Sequence, residues 1–223
     1  SDYCSIFEGQ WQGKIVAVKL FQGPKHRKFF QEEMLVMACL AGPSLSSPQL
    51  LSALGFVLDD ALAACAIVMD YMPSGDLYRF LQRYPNLSWN DKYFMAFEVT
   101  LGLRYLHTLC ILHRDLKGAN IFLDQQCQPK IADFGLSVIL HDGEYERHDE
   151  LLVGSFPYMS PEVLIDIIYS PKSDIYALAM VFYELLLHNE PFQGLKKDVI
   201  TQYVLSGKRP HLGERGDIPS AFN

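Results

Sequence analysis

The chain has 223 residues, of which 49% are hydrophobic, and this length is enough for one large domain or two small lobes with a substantial core. Its net charge of −7 argues against nucleic acid or an anionic membrane as the main partner. The five cysteines are widely spaced without a CxxC pair, so neither a zinc site nor a disulfide framework is predicted. We expect a reducing, cytoplasmic compartment and no membrane span.

Strands are predicted to dominate the first seventy residues. Alternating β-branched residues predict a strand over Lys14–Leu20, and two more strands are expected over Gln49–Leu58 and Ala61–Met69. Between them, a helical pattern over Lys25–Leu40 places its apolar residues on one arc, with Glu33 near the centre. That carboxylate either reaches back to water or is buried beside a cation, because an unpaired buried charge is very costly. We favour burial.

Helices are predicted to dominate the remainder of the chain. The stretch MPSG, Met72–Gly75, breaks the strand pattern and is a candidate hinge. Ser88 and Asp91 have the spacing of a capping box and predict the start of a helix. The apolar face of this helix is expected to contain Phe94, Phe97, Leu101 and Tyr105. A further long helix is predicted over Ser173–Leu187.

Polar residues interrupt the apolar stretch ILHRDLKGANIFL, Ile111–Leu123, which otherwise has the hydrophobicity of a buried strand. Asn120 and Asp133 lie at the ends of two short strands that could pair as a hairpin, which would bring their oxygen atoms together. Oxygen ligands of this kind suit Mg²⁺ held jointly with substrate phosphates. We expect His113 to be a packed core residue, because no second His or Cys lies near it at metal-ligand spacing.

Four motifs follow one another at spacings that are highly specific in combination. They are VAVK at Val16–Lys19, HRDLKGAN at His113–Asn120, DFG at Asp133–Gly135 and SPE at Ser160–Glu162. Through them the chain resembles a eukaryotic-type protein kinase catalytic domain over essentially its whole length. The stretches WQGKIVAVK and KSDIYALAMVFYELL resemble the tyrosine-kinase-like group, whose members mostly act on Ser and Thr.

The resemblance implies an α+β, bilobal fold. A small β-rich N-lobe with one helix would span residues 1–69, a hinge residues 70–72, and a larger, mainly helical C-lobe residues 73–223. It also implies ATP and Mg²⁺ as cofactors and a protein as substrate. Asp174 would brace the catalytic loop, or it is simply an acid at a helix N-terminus that the helix dipole stabilises.

Catalytic roles follow from the same resemblance. Lys19 would bind the α- and β-phosphates of ATP and pair with Glu33. Asp115 would orient the substrate hydroxyl and accept its proton, and Lys117 would neutralise the γ-phosphate. A lysine at the position of Lys117 is typical of kinases that phosphorylate Ser and Thr. In such kinases the residue at the position of Ser155 forms hydrogen bonds with the residues at the positions of both Asp115 and Lys117. Dual specificity is the alternative.

Ligand-binding residues are implied as well. Asn120 and Asp133 would hold Mg²⁺. Met69 would be the gatekeeper, Asp70 to Met72 the hinge whose backbone binds adenine, and Asp76 a ribose contact. Together with Lys19, the nucleotide pocket would be formed by Ile6, Ala17, Met69, Asp70, Met72, Asp76 and Phe122.

The stretch between DFG and SPE is rich in acids. Its acidic residues are Asp142, Glu144, Glu146, Asp149 and Glu150. In one interpretation these residues form a solvated acidic loop. In the other, one of their carboxylates pairs with Arg114 in the place that a phosphate would take.

Two departures from the family pattern leave other functions open. Ser1 and Cys4 fall where the family has glycines of its phosphate-binding loop, and no later Arg is evident as a partner for Glu162. We therefore expect an excerpt of a longer chain. The alternative function is a pseudokinase that acts as a nucleotide-binding or scaffolding module. A small-molecule kinase of similar fold is a third possibility, which the SPE motif and the acidic stretch disfavour.

Overall fold

The computed structural model describes residues 4–42, 47–59, 64–141, 144 and 146–213. Within these residues the strands are β1 (Ser5–Trp11), β2 (Lys14–Gln22), β3 (Ala53–Asp59), β4 (Ala64–Asp70), β5 (Gly75–Asp76), β6 (Ile111–Leu112), β7 (Ile121–Leu123), β8 (Pro129–Ile131), β9 (Val138–Ile139), β10 (Arg147–His148) and β11 (Ile168–Tyr169). The helices in the same ranges are α1 (Arg27–Leu40), α2 (Leu77–Arg83), α3 (Trp89–Thr108), α4 (Pro161–Asp166), α5 (Pro171–Leu187) and α6 (Lys197–Leu205). The predicted α+β fold, with a β-rich N-lobe and a mainly helical C-lobe, is confirmed.

The four N-terminal strands form one antiparallel sheet in the order β1-β2-β4-β3. A two-residue turn, Gln12–Gly13, joins β1 to β2, and both residues have the positive φ that a tight hairpin favours, 51° and 78°. Helix α1 packs on this sheet, where the rings of Phe21 and Phe30 meet edge to face at 5.7 Å. The predicted arc of α1 is buried, and Glu33 lies within it.

The segment predicted as one strand over Gln49–Leu58 is divided between two neighbours. Strand β3 begins only at Ala53 and pairs with β4. Upstream of β3, the N–H of Ile131 donates to the carbonyl oxygen of Gln49 at 2.8 Å, so the start of the segment joins the C-terminal part of the chain. The beginning of the next predicted strand, residues 61–63, lies outside the described residues.

The predicted apolar face of α3 is only partly correct, since Tyr105 packs half-buried against the core as expected. Phe94 and Phe97 are 39% and 60% exposed, whereas Met95, Val99 and Leu103 are buried in the core that α3 shares with β8 and α5. Apolar residues occur on more than one side of this helix, so their spacing is compatible with two different arcs. The neighbouring elements determine which arc is buried.

The predicted starts of two helices in the C-lobe agree with the structure to within two residues. Ser88 caps α3, since its Oγ accepts a hydrogen bond from the N–H of Asp91 at 3.2 Å. Helix α5 begins at Pro171, two residues before the predicted start, because Ser170 forms a capping box with Ser173. None of the helices in the described ranges has the length and apolar character needed to cross a membrane.

Candidate active site

A buried ion pair joins the N-terminal sheet to helix α1. Lys19 lies on β2, and its Nζ is 2.8 Å from both carboxylate oxygens of Glu33. The two side chains are only 8% and 2% exposed. Burial alone would lower the pKa of Lys19, but the attraction of the Glu33 and Asp133 carboxylates outweighs it and raises that pKa, so the amine is held in its charged form.

Asp133 approaches the same amine from the C-lobe. Its backbone is left-handed, with φ of 62°, a costly conformation for a non-glycine residue that is common at functional sites. Its Oδ1 lies 2.7 Å from Lys19 Nζ. Burial would raise the pKa of Asp133, but the charge of Lys19 outweighs it and lowers that pKa. The Asp133 side chain is still 48% exposed, so it remains accessible to a ligand.

The catalytic loop, which we define as His113–Asn120, gathers polar groups around one carboxylate. Lys117 Nζ donates to Asp115 Oδ2 at 2.8 Å, and Asn120 Nδ2 donates to the same oxygen at 3.0 Å. Asp115 Oδ1 is buried, and it has no hydrogen-bond partner in the part of the chain that the structure describes. Because buried polar atoms nearly always have partners, this carboxylate oxygen keeps an unused capacity to accept a hydrogen bond.

Lys117 also ties this loop to the activation segment, which we define as Gly135–Ser160. Its Nζ donates to Ser155 Oγ at 2.8 Å, so the expected bond between this lysine and Ser155 is confirmed. The expected bond between Ser155 and Asp115 is not among the contacts of the described residues. The ammonium of Lys117 therefore bridges Asp115 and Ser155.

Asp174, in the first turn of α5, holds the backbone of the catalytic loop. Its Oδ2 accepts a hydrogen bond from the N–H of His113 at 2.9 Å, and its Oδ1 accepts one from the N–H of Arg114 at 3.0 Å. His107 Nε2 lies 3.0 Å from the same Oδ2. Both interpretations of Asp174, as a brace and as a helix N-terminal acid, therefore hold. His113 is fully buried, as predicted.

A second buried carboxylate supports the loop from the last turn of α5. Glu184 is fully buried, and its Oε1 accepts a hydrogen bond from the N–H of Gly118 at 2.8 Å. Burial raises the pKa of Glu184 to about 7, although the bond from Gly118 opposes this shift. Sequence reasoning missed this residue, yet a lone carboxylate in an apolar helical run was a usable signal. Nothing in the sequence pointed to His107.

The residues proposed to surround the nucleotide lie both in the N-terminal sheet and in the segment that follows it. In the N-terminal sheet, Ile6 is opposite Lys19, and Ala17 is opposite Met69. Met69 is buried, whereas Ile6 is 62% exposed. Asp70 is the exposed last residue of β4.

After the N-terminal sheet, Met72 is half-buried and packs against the core. Asp76 is opposite Phe122 in the pairing of β5 with β7. Asp76 also caps α2, since its Oδ1 accepts a hydrogen bond from the N–H of Arg79 at 2.9 Å. It is therefore a structural residue whatever ligand it contacts.

The acidic stretch supplies a partner for Arg114. Arg114 and Asp149 form an ion pair whose side chains are 10% and 17% exposed. Asp149 also lies 3.0 Å from Arg147, measured between Oδ1 and Nε. Burial lowers the pKa of Arg114, and the charge of Asp149 opposes this shift. One of the acids, Asp149, thus pairs with Arg114 as predicted, whereas its substitution for a phosphate stays a prediction. Asp142 lies outside the described residues.

The residues proposed to hold Mg²⁺ fit that ion. Asn120 and Asp133 flank the hairpin in which Ile121 is opposite Ile131, as predicted. Asn120 uses its Nδ2 on Asp115, which leaves the amide oxygen for a cation. No group of three or more His, Cys, Asp or Glu side chains that could hold a metal occurs in the described ranges. Two oxygen donors are what Mg²⁺ uses when substrate phosphates complete its shell.

This fold, with its lysine–carboxylate pair and its catalytic loop, defines the class of the protein. A family model described as the protein kinase domain matches residues 3–213, and the chain belongs to this family.

Named relatives support membership of the same class. The chain is 32% identical over 225 residues to a probable serine/threonine-protein kinase of Dictyostelium discoideum, and the match covers 96% of the chain and 16% of the relative. It is 29% identical over 223 residues to a putative serine/threonine-protein kinase/receptor of Acanthamoeba polyphaga mimivirus, and this match covers 95% of the chain and 13% of the relative. It is 31% identical over 190 residues to the calcium/calmodulin-regulated receptor-like kinase 1 of Arabidopsis thaliana, and this match covers 82% of the chain and 41% of the relative. The chain spans less than half the length of each of these relatives.

Proposed function

We propose that the protein is an ATP-dependent protein kinase that transfers the γ-phosphoryl group to Ser and Thr hydroxyls of protein substrates. The observation that carries this proposal is the unpaired Oδ1 of Asp115, on a carboxylate whose other oxygen is held by Lys117 and Asn120. A substrate hydroxyl that donates to the Asp115 carboxylate is oriented by it and can lose its proton to it. Membership of the kinase family and the names of two relatives as serine/threonine kinases support the same activity.

In this proposal each charged side chain has one task. Lys19, fixed by Glu33, binds the α- and β-phosphates of ATP. Asp115 orients the hydroxyl and takes its proton, and Lys117 neutralises the γ-phosphate. Phosphoryl transfer needs little covalent chemistry, so the positioning and charge neutralisation supplied by these side chains account for most of the catalysis.

Asn120 and Asp133 are proposed to hold Mg²⁺, which when bound neutralises charge on the phosphates. Lys19 already neutralises part of the charge of Asp133, through the 2.7 Å contact of its Nζ. The proposed nucleotide pocket comprises Ile6, Ala17, Met69, Asp70, Met72, Asp76 and Phe122. The proposed limits are residues 1–69 for the N-lobe, 70–72 for the hinge and 73–223 for the C-lobe.

Specificity for Ser and Thr, rather than dual specificity, is proposed from the bond that joins Lys117 to Ser155. Membership of the tyrosine-kinase-like group is proposed from WQGKIVAVK and KSDIYALAMVFYELL. A cytoplasmic location is proposed from the five widely spaced cysteines, which contain no CxxC pair.

Transfer of radiolabelled phosphate from ATP to a generic basic protein tests the function. We expect wild type to label Ser and Thr, as phosphoamino-acid analysis will report, and Lys19→Met to lose most of the transfer. A wild type that binds ATP but transfers no phosphate would be a pseudokinase and would contradict the proposal. Phosphotyrosine as the sole product would overturn the Ser/Thr assignment alone.

A further inference from the structure

The ion pair between Arg114 and Asp149 connects the catalytic loop to the activation segment. Arg114 immediately precedes Asp115, and Asp149 lies 35 residues further along the chain from Arg114. Both side chains are largely buried, at 10% and 17% exposure, so water screens their attraction much less than that of a surface pair. A buried charge that loses its partner is strongly destabilised, so breaking the ion pair has a high free-energy cost for either residue.

Asp149 is itself held from two sides. Its Oδ1 is 3.0 Å from Arg147 Nε, and its backbone N–H donates to the carbonyl oxygen of Ile167 at 3.2 Å. Strand β10, which ends one residue before it, pairs with β11 through Arg147 opposite Tyr169. The carboxylate is therefore a fixed anchor and not the tip of a solvated loop.

Arg114 transmits this anchor to the reacting residue. Its backbone has a left-handed φ of 64°, and its N–H is bonded to Asp174 Oδ1 at 3.0 Å. Its guanidinium stacks over the ring of Tyr169 at 5.3 Å and donates through Nε to the carbonyl oxygen of Leu136. Arg114 is thus fixed at both its backbone and its side chain, which restricts the position of Asp115 next to it.

We propose that Asp149 is a positioning residue that orders the catalytic loop and the activation segment through Arg114, so that phosphoryl transfer does not require phosphorylation of the activation segment. This inference rests on the proposed function. A carboxylate supplied by the chain is always present, whereas a phosphate in the same position would have to be added by a kinase.

The first experiment compares wild type before and after phosphatase treatment, with intact mass spectrometry to verify that no phosphate remains. We expect the initial rate of transfer to a protein substrate to change by less than about twofold, because the pairing anion belongs to the chain. Activity that disappears with the phosphate and returns on rephosphorylation would overturn this proposal and leave the proposed function intact. A wild type that is inactive before treatment would instead contradict the proposed function.

The second experiment uses variants of the anchor. Asp149→Asn should lower kcat by about 100-fold with little change in the KM for ATP, because it loosens the catalytic loop and not the lysine–carboxylate pair. Asp149→Glu should restore part of the rate. Glu150→Gln, a change at the exposed neighbouring acid, is the matched control and should behave as wild type.

A double-mutant cycle separates positioning from folding. If Asp149 acts through Arg114, then Arg114→Ala combined with Asp149→Ala should lose no more activity than Arg114→Ala alone. Additive losses, or a wild-type rate in Asp149→Asn, would overturn the proposal. If Asp149→Asn fails to fold, the phosphatase experiment on wild type still tests whether transfer requires phosphorylation of the activation segment.

Discussion

Gly118 lies directly against the buried carboxylate of Glu184. Its N–H donates to Glu184 Oε1 at 2.8 Å, and a Cβ atom added to Gly118 would stand 2.3 Å from Glu184 Oε2. The three heavy atoms nearest to that added Cβ all belong to Glu184. The glycine is therefore required by the close approach of helix α5 to the catalytic loop.

Replacing Gly118 by Ala should destabilise the protein by about 1–3 kcal/mol, the usual cost of forcing an extra carbon into a packed site. Chemical denaturation measures this free energy of unfolding. In a Glu184→Ala background the same replacement should cost close to nothing, because the clashing group is gone. An equal cost in both backgrounds would contradict the assigned contact.

Glu184 should make stability depend on pH. Its pKa is raised from an ordinary value of 4.5 to about 7. A carboxyl group with a raised pKa binds its proton more tightly in the folded state, so its contribution to stability is complete below pH 4.5 and is lost as the pH rises through about 7. The loss amounts to roughly 3 kcal/mol.

The measurement is the difference in unfolding free energy between wild type and Glu184→Gln at pH 5 and pH 8. Wild type should lose stability relative to the variant as the pH rises. Glu190→Gln, a change at an exposed acid nearby, should keep the slope of wild type. A slope that is unchanged in Glu184→Gln would show that another group titrates.

Glu33→Gln should reduce both stability and activity, because it removes the negative charge that balances Lys19 in a buried pair. The second partner of Lys19, Asp133, limits the loss of stability to about 1–3 kcal/mol. Glu32→Gln is the control: Glu32 is half exposed and pairs with Lys28 at 3.7 Å on the surface of α1. Its cost should stay below about 0.5 kcal/mol in thermal or chemical unfolding. Equal effects of the two changes would refute the buried role of Glu33.

Ser155→Ala should lower kcat by about tenfold or more, since a hydrogen bond to a charged group contributes about 1.5–3 kcal/mol. The lost bond is the one that Lys117 Nζ donates at 2.8 Å. Ser155→Thr keeps the hydroxyl and should retain most of the rate. If the Ala and Thr variants were equally slow, side-chain size and not this hydrogen bond would be limiting.

Local patterns were sufficient to predict several parts of the site. Asn120 and Asp133 flank a short hairpin, and pairing between neighbouring strands depends mostly on nearby residues. The burial of Glu33 followed from the periodicity of one helix with a single apolar arc. By contrast, α3 has apolar residues on several sides, so periodicity could not show that Phe94 and Phe97 are exposed.

Contacts between segments far apart in the chain could not be predicted from the sequence. Arg114 had several acids within one stretch as possible partners, and only the pairing of β10 with β11 brings Asp149 to it. The bond between Gly118 and Glu184 spans 66 residues and depends on the packing of α5 against the catalytic loop. Such pairings are set by tertiary packing, which spacing along the chain does not encode.

The most direct test of the proposed kinase activity is the rate of phosphoryl transfer by Asp115→Asn relative to wild type, with equal melting temperatures as the check on folding. Asparagine keeps the shape of the side chain but cannot accept the proton of the substrate hydroxyl. We predict that kcat falls by at least about 100-fold while the KM for ATP changes little. Transfer by Asp115→Asn at the rate of wild type would contradict the proposed function.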